Sequence, residues 1–319
     1  MQYTVYIDYN YKGWILEAIV RESAAAIGLK LNIVFVPSRK LHLLNLYMVV
    51  KYNLNLKTNA PILFVNQNTY LKEIKRAKIE LKSKQVRILF THFPDLDNSI
   101  SLYKEHFTSV DKIFVMNSSD LEKLVKLGLP KFKITVTYGA IDNSKYYPLK
   151  PNEAFKFLEF PYILIAGDCK ERKSPKRLYG IAKQMPDLKF IFHGNGWKKF
   201  FLREFKKLPT NCEFHSFRIT RHAEFMRQAS VYLSLSKIEG GPYPTLEALA
   251  SGTPTVATNT GWNSELINVQ NGFLVEDDTT DSQIVKYITQ CIEIKKSIFN
   301  LSLLPINLTW QTLGELIYN

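Results

Sequence analysis

The sequence has few cysteines and no long apolar run. Cys169, Cys212 and Cys291 are odd in number and widely spaced, with no C-x-x-C pair. Structural disulfides and a cysteine-based zinc site are therefore not expected, and a reducing compartment fits. The richest apolar stretch, Leu41 to Val50, is shorter than the roughly twenty residues that a bilayer span needs. The first residues read directly as a strand instead of a signal peptide, so we expect a soluble, cytoplasmic protein.

Lys and Arg outnumber Asp and Glu, and most of this excess of positive charge lies in the first half of the chain. Residues 1–150 hold 22 Lys and Arg against 12 Asp and Glu, a net charge of +10, whereas residues 151–319 hold 20 against 17, a net of +3. The densest part, Tyr70 to Lys84, predicts a helix whose polar face carries Lys72, Lys75, Arg76 and Lys82. Most such faces are simply solvated. The sharper alternatives are peripheral docking on an anionic membrane at its cytoplasmic face and, as a third, nucleic-acid binding.

The sequence does contain a regular alternation of strand and helix patterns. Strand patterns begin at Tyr3 and recur through Gly272, and most of them are separated by patterns with helical spacing. This alternation is typical of α/β proteins in which helices cover both faces of a parallel sheet. The segment Tyr147 to Pro161, which has three prolines, predicts a hinge between two doubly wound domains. At 319 residues and 46% hydrophobic content, the chain is long enough for two cores.

One segment of the second half orders its residues as a ligand pocket requires. The apolar run Val231 to Leu235 reads as a buried parallel strand, and Gly240 to Pro242 turns the chain after it. Pro244 suits the first position of a helix, because the amide that it lacks would have no partner there. The amides of Thr245 and Leu246 would then point off the positive end of the helix. A diphosphate could bind at this position.

Two glutamates belong to the same segment, with seven residues between them. Glu239 is predicted on the loop that follows the strand, and Glu247 in the opening turns of the helix. Both carboxylates can then face one crevice and accept hydrogen bonds from ribose or sugar hydroxyls. Taken alone, the spacing would indicate only a solvated loop charge and a carboxylate that complements a helix terminus. The surrounding residues favour the functional interpretation.

The segment is similar to the donor-site motif of glycosyltransferase family four, whose members are retaining enzymes of the two-domain GT-B fold. The similarity is good from about Val86 onwards and thin before it. Four further stretches resemble the family's strands and turns in the expected order: Ile134–Asp142, Tyr162–Gly167, Phe190–Gly196 and Asn271–Val275.

The resemblance implies two doubly wound Rossmann-like domains that face a cleft. Residues 1–148 would form the acceptor-side domain and residues 149–304 the nucleotide-sugar-binding domain. Residues 305–319 would form a helix that crosses back to the first domain. The implied reaction moves a hexose from a UDP- or GDP-sugar to a hydroxyl of a glycan or a lipid-linked acceptor. It needs no metal, no cofactor and no enzyme nucleophile, since the departing phosphate would act as the base.

The resemblance also places a cationic site for that phosphate. Family members carry an Arg directly after the glycine that ends the first strand of this domain and a Lys five positions later. In this chain the Lys is Lys173, whereas Asp168 occupies the position of the Arg. A carboxylate cannot hold phosphate, so we expect Arg172 or Lys170 to replace the Arg, or activity to be weak or altered.

The remaining roles implied by the resemblance fall on both halves of the chain. His92 follows a predicted strand and would contact the donor sugar, which makes it a catalytic candidate together with Lys173 and Glu239. Gly13 would lie in the first loop, where backbone approaches the acceptor or the phosphate. The predicted nucleotide-binding residues are, besides Gly13, Arg172, Gly241, Tyr243, Thr245, Leu246 and Glu247.

One motif is set aside, and two alternative functions stay open. Asp95-Leu96-Asp97 is a D-x-D triplet of the kind that holds a metal in the other glycosyltransferase fold, but we assign it to loop structure and predict no metal site. Asp168 leaves open a nucleotide-sugar-binding protein with little turnover. The net charge of +13 leaves open a DNA-modifying GT-B enzyme.

Overall fold

The computed structural model describes residues 2–13, 15–36, 60–71, 85–91, 105–107, 109–149, 161–298, 301–304 and 308–319. Contacts divide the chain into a first unit, Met1–Ala140 with Leu308–Asn319, and a second unit, Ile141–Asn307. Several predicted features lie outside the described residues: His92, Asp95–Asp97, nearly all of the basic helix and most of the hinge segment.

The first unit is built on a parallel six-stranded sheet. Its strands are β1 (Tyr3–Asp8), β2 (Leu31–Val36), β3 (Ile62–Val65), β4 (Val86–Phe90), β5 (Lys112–Val115) and β6 (Ile134–Val136). They lie in the order β2-β1-β3-β4-β5-β6. Helices α1 (Ile15–Ala26) and α2 (Ser118–Lys126) belong to this unit. Strands β1, β3 and β4 are buried along their whole length, as expected where both faces of a parallel sheet are covered.

The second unit repeats this architecture. Its strands are β7 (Tyr162–Ala166), β8 (Lys189–His193), β9 (Cys212–His215), β10 (Val231–Ser234), β11 (Thr255–Thr258) and β12 (Gly272–Val275), in the order β12-β11-β10-β7-β8-β9. Its helices are α3 (Pro175–Gln184), α4 (Trp197–Phe205), α5 (Ile219–Gln228), α6 (Tyr243–Ala250), α7 (Asn263–Leu266) and α8 (Asp281–Ile298). The predicted α/β class with two doubly wound sheets is confirmed.

The chain returns to the first unit through a last helix, α9 (Trp310–Tyr318), which packs on α1. The two helices approach closely at Gly314, where a Cβ would lie 2.1 Å from the carbonyl oxygen of Ser23. The hydroxyl of Tyr3, on β1, donates to the carbonyl oxygen of Tyr318 over 2.7 Å. Residues far apart in the sequence therefore complete one core.

Each sheet reverses its direction of winding at one point. In the first sheet this switch point lies between β1 and β3, and in the second it lies between β7 and β10. Ligands of open α/β sheets bind outside the carboxyl ends of the strands at such points. Among the described helices, none is long and apolar enough to cross a membrane.

Candidate functional site

Three charged side chains meet beside the switch point of the second sheet. Arg172 donates to Glu239 Oε1, and Lys173 Nζ lies 3.6 Å from the same oxygen. Burial raises the pKa of Glu239, but the charges of Lys173 and Arg172 and the hydrogen bond from Arg172 outweigh it and hold the pKa below its ordinary value. Burial and the Arg172 charge lower the pKa of Lys173, against the attraction of Glu239. The cluster joins two cations to one anion, so it is suited to accept a further negative charge.

Backbone contacts fix the turn that carries the two cations. Gly167, at φ +93°, directly follows β7, and Lys173 Cε lies 3.2 Å from where a Cβ on this glycine would be. The backbone amide of Lys237 donates to the carbonyl of Arg172 over 2.7 Å, and Arg172 Nη1 donates to the carbonyl of Ile238 over 2.9 Å. The turn after β7 and the loop after β10 are thereby tied together.

Asp168 organises a neighbouring loop. Its Oδ1 accepts from the backbone amide of Asn195 over 2.8 Å and from Asn195 Nδ2 over 3.0 Å. At Gly194, a Cβ would lie 2.1 Å from the carbonyl oxygen of Gly167, so the two loops also touch through backbone. Asp168 thus has a structural role in this chain. The guanidinium that reaches Glu239 from the same turn belongs to Arg172.

The helix that carries Glu247 begins one residue earlier than predicted. Tyr243, instead of Pro244, is the first residue of α6. The amide of Thr245 donates to the carbonyl of Pro242 over 2.8 Å, so the prediction that this amide is free to bind phosphate is wrong. The side chains of Thr245 and Leu246 are fully buried. The helix can start at Tyr243 because proline fits the second helical position as well as the first. Neither position has an intrahelical acceptor for the amide that proline lacks.

The aromatic ring of Trp262 leaves no room for a side chain at Gly241. A Cβ on Gly241 would lie 2.5 Å from the indole of Trp262, which is itself fully buried. The ring of Tyr243 packs edge-on against the same indole, with centroids 5.5 Å apart. The absence of a side chain at Gly241 therefore lets its backbone lie against Trp262.

Glu247 is held by His222, which the sequence did not single out. His222 Nε2 lies 2.9 Å from Glu247 Oε2, and the phenol of Tyr146 lies near the same carboxylate. Burial and the neighbouring Glu247 raise the pKa of Tyr146. His222 is in turn 3.1 Å from His193, measured between their Nδ1 atoms. A signal for His193 was its position as the last residue of β8, at the carboxyl edge of the sheet.

Both predicted glutamates influence one hydroxyl group. Tyr232, on β10, is buried, and burial raises the pKa of its phenol. The charges of Glu239 and Glu247 raise it further. The charges of both carboxylates therefore act on this one phenol.

A cavity of about 510 Å³ opens beside this region at the carboxyl ends of β8 and β9. Its lining includes the turn Gly194 to Gly196, the first turn of α4 and Phe214–Ser216. A second cavity, of about 630 Å³, lies beyond β11 and β12 and is lined mostly by polar and charged residues. Both volumes fall within the range of small-molecule sites.

The first unit carries a polar cluster at its own switch point, which the sequence did not predict. Asn66, at φ +74°, follows β3, and its Nδ2 donates to Thr91 Oγ1 over 2.9 Å and to the hydroxyl of Tyr11 over 3.3 Å. The amide of Thr91 donates to Gln67 Oε1 over 3.1 Å. The chain leads directly from Thr91 to His92, which lies outside the described residues.

Gly13 also lies in the first unit, in the turn before α1. Its φ of +76° favours glycine, and there is open space where a Cβ would be. Its amide donates to Glu17 Oε2 over 2.7 Å. This amide is therefore engaged by the helix that follows, and the proposed approach to a ligand stays a prediction.

A metal site was not predicted. Among the residues that the structure describes, no three His, Cys, Asp or Glu side chains are grouped so that they could hold an ion. The D-x-D triplet is outside that part of the chain. Metal independence stays a prediction.

Solved structures share this architecture over nearly all of the chain. HepE from Anabaena, in complex with UDP and glucose, aligns with a TM-score of 0.75 at 14% identity and covers 100% of this chain and 96% of its own. WaaG, a glycosyltransferase involved in lipopolysaccharide biosynthesis, aligns with a TM-score of 0.69 at 15% identity and covers 100% of both chains. The chain has the GT-B fold.

Sequence similarity is concentrated in the second half of this GT-B chain. The family model of the group 1 glycosyl transferases matches residues 149–301. The GtfA subunit of a peptide N-acetylglucosaminyltransferase that uses UDP-N-acetylglucosamine, from Streptococcus pneumoniae, is 25% identical over 203 residues. That match covers 57% of this chain and 38% of the relative, so the chain spans well under half of that protein.

Proposed function

We propose that this GT-B protein is a glycosyltransferase that moves a hexose from a nucleoside-diphosphate sugar to an acceptor hydroxyl. The observation that carries the proposal is the gathering of Arg172 and Lys173 around Glu239 at the switch point of the second sheet. The match of residues 149–301 to the group 1 glycosyl transferases supports it. UDP-glucose is the first donor to test, because HepE was solved with it.

The proposed chemistry follows the retaining course expected of family four. The bond between the anomeric carbon and the phosphate oxygen breaks, and the acceptor oxygen bonds to the same face of that carbon. The acceptor proton passes to the departing phosphate. Lys173 and Arg172 stabilise the negative charge that develops on the diphosphate, which requires no enzyme nucleophile and no metal.

The two glutamates have different proposed partners. Glu239 accepts from sugar hydroxyls beside the cations, and Glu247 accepts from the ribose diol. A carboxylate has about four lone-pair sites, so Glu247 keeps acceptor capacity beyond the bond from His222. His92 is proposed to contact the donor sugar from the first unit.

A binding screen with a turnover assay tests the proposal. We expect UDP or GDP, or one of their sugars, to raise the melting temperature, since a ligand at about a hundred times its dissociation constant adds roughly 2.7 kcal/mol to stability. ADP and dTDP, with their sugars, complete the screen. Binding without donor hydrolysis or sugar transfer would support a nucleotide-sugar-binding protein instead. Binding of none of them would contradict the proposal.

The acceptor side is proposed to meet an anionic membrane. Phe132 is 83% exposed and lies between Lys131 and Lys133 on the first unit. An aromatic side chain next to basic residues suits the boundary of an anionic bilayer. We expect co-sedimentation with anionic vesicles at low salt and little with neutral ones. Phe132→Asp should weaken it, whereas Val269→Asp, at a residue 79% exposed between Asn268 and Gln270, should not.

Reversal of Lys72, Lys75, Arg76 and Lys82 to Glu tests the same proposal on the predicted basic helix. Vesicle binding should fall, because each basic residue near an anionic surface contributes about 1 kcal/mol. Indifference to vesicles, combined with duplex DNA binding that these reversals abolish, would favour the DNA-modifying alternative. Indifference to both would indicate a soluble glycan or protein acceptor.

A further inference from the structure

A chain of hydrogen bonds crosses the second unit from the loop after β9 to helix α6. The backbone amide of Arg218 donates to His193 Nε2 over 3.2 Å. His193 Nδ1 lies 3.1 Å from His222 Nδ1, and His222 Nε2 lies 2.9 Å from Glu247 Oε2. Both imidazole rings are buried. Strand β8 and helices α5 and α6 each contribute one side chain to this chain of bonds, which we call the histidine relay.

The direction of the histidine relay follows from its first donor. A backbone amide can only donate, so His193 Nε2 accepts and carries no proton. The single proton of neutral His193 is then on Nδ1 and points to His222 Nδ1. His222 accepts there, carries its own proton on Nε2 and donates it to Glu247. The opposite direction would set two N–H groups against each other at Arg218.

The surroundings keep the first ring of the relay neutral. Burial lowers the pKa of His193 to about 4, helped by the nearby His222, His215 and Arg221. Tyr146 and Glu247 are the other titratable groups that face His222. A proton added to His193 would turn its accepting nitrogen into a donor and break the bond from Arg218. The neutral form is the one in which all three bonds are satisfied.

We infer that His222 is a positioning residue for a nucleoside diphosphate, because it holds Glu247 on one side and, through His193, the loop at Arg218 on the other. The inference rests on the proposed function of the second unit. Residues Phe214–Ser216, just before this loop, line the cavity of about 510 Å³. The histidine relay therefore links a wall of that cavity to Glu247, the carboxylate proposed for the ribose. The affinity for a nucleotide that contacts both the wall and Glu247 would depend on the relay.

Two variants of His222 separate a role in packing from a role in positioning Glu247 and the loop at Arg218. His222 lies among aromatic rings, with the ring of Phe217 at 5.2 Å and that of Tyr146 at 6.3 Å between centroids. His222→Phe keeps an aromatic ring there but removes both the donor to Glu247 and the acceptor for His193. His222→Gln keeps one donor and one acceptor on a neutral side chain.

The experiment measures the affinity for UDP and GDP by calorimetry and the turnover at saturating donor. We expect His222→Phe to weaken nucleotide binding about ten-fold, the loss of one hydrogen bond to a charged group, with turnover at saturation close to wild type. His222→Gln should restore most of the affinity. His106→Gln, in the first unit, is the matched control and should bind as wild type. Circular dichroism and melting temperature verify the fold of each variant.

A second measurement needs neither a variant nor a nucleotide. In the wild type labelled with ¹⁵N at histidine, NMR should find the proton of His193 on Nδ1 and that of His222 on Nε2 near neutral pH. The opposite tautomers would overturn the relay. Unchanged affinity in His222→Phe, or equal losses in the Phe and Gln variants, would overturn the positioning role alone. A wild type that binds none of UDP, GDP, ADP and dTDP, and none of their sugars, would overturn the proposed function, and this inference with it.

Discussion

Replacing Lys173 by alanine is expected to lower turnover about a hundred-fold while the fold is retained, because removing one preorganised donor from a developing anion has an effect of that order. The Lys173 ammonium lies 3.6 Å from Glu239 Oε1, on a turn that is tied to the loop after β10. Affinity for UDP should fall less than turnover, since charge on the leaving phosphate grows only in the transition state. Steady-state kinetics and calorimetry together measure this difference.

Lys176→Ala is the matched control for this variant. Lys176 is three residues further along the chain, its side chain is 63% exposed, and it pairs with Glu204 at 3.4 Å. We expect its loss to leave turnover unchanged. Arg172→Ala tests whether this guanidinium replaces the Arg that family four has at the position of Asp168. Wild-type activity in both the Lys173 and the Arg172 variants would contradict the site and assign the phosphate to backbone amides.

The second large effect is an opposite response of the two glutamates. Glu239→Gln should lower turnover about ten- to a hundred-fold with UDP affinity kept, because an acceptor for the sugar is weakened while both cations stay. Glu247→Ala should instead weaken UDP binding by about 1.5–3 kcal/mol, the value of a hydrogen bond to a charged group. Calorimetry with UDP and turnover at saturating donor separate the two responses.

The position of the ribose depends on the Glu247 result. If the Glu247 variant keeps the UDP affinity of the wild type, the ribose is not at α6 and Glu247 serves only the packing of this helix. If Glu239→Gln loses UDP affinity in proportion to turnover, its carboxylate acts on the whole donor instead of the sugar. His222→Phe should resemble Glu247→Ala and not Glu239→Gln.

The sheets could be predicted because their strands are buried on both faces. Such strands read as continuous apolar runs, and the predicted run Val231 to Leu235 differs from the strand Val231–Ser234 by one residue. The resemblance to family four implied that Lys173 and Glu239 serve one site, and their side chains do lie close together. A buried strand can be recognised from a few consecutive apolar residues, so no contact between distant parts of the chain is needed to predict it.

What could not be predicted depends on contacts between distant elements. The amide of Thr245 is engaged because α6 starts at Tyr243, a difference of one residue that Pro244 permits equally well. His193 and His222 are 29 residues apart, and only the packing of α5 against the end of β8 brings their rings together. The strand-end position of His193 was a signal in the sequence, but no pattern indicates that this residue pairs with His222.

The last helix has a consequence for the order in which the protein can fold on the ribosome. The second unit, Ile141–Asn307, is contiguous and is synthesised completely before Leu308. The first unit begins earlier but receives α9 last, so the α1 surface around Ser23 lacks Gly314 and its neighbours throughout synthesis of the second. Domains generally fold during synthesis from the N-terminus onwards. Here the unit that starts first is completed last, and in a nascent chain the surface of α1 that α9 covers stays exposed until α9 has left the ribosome.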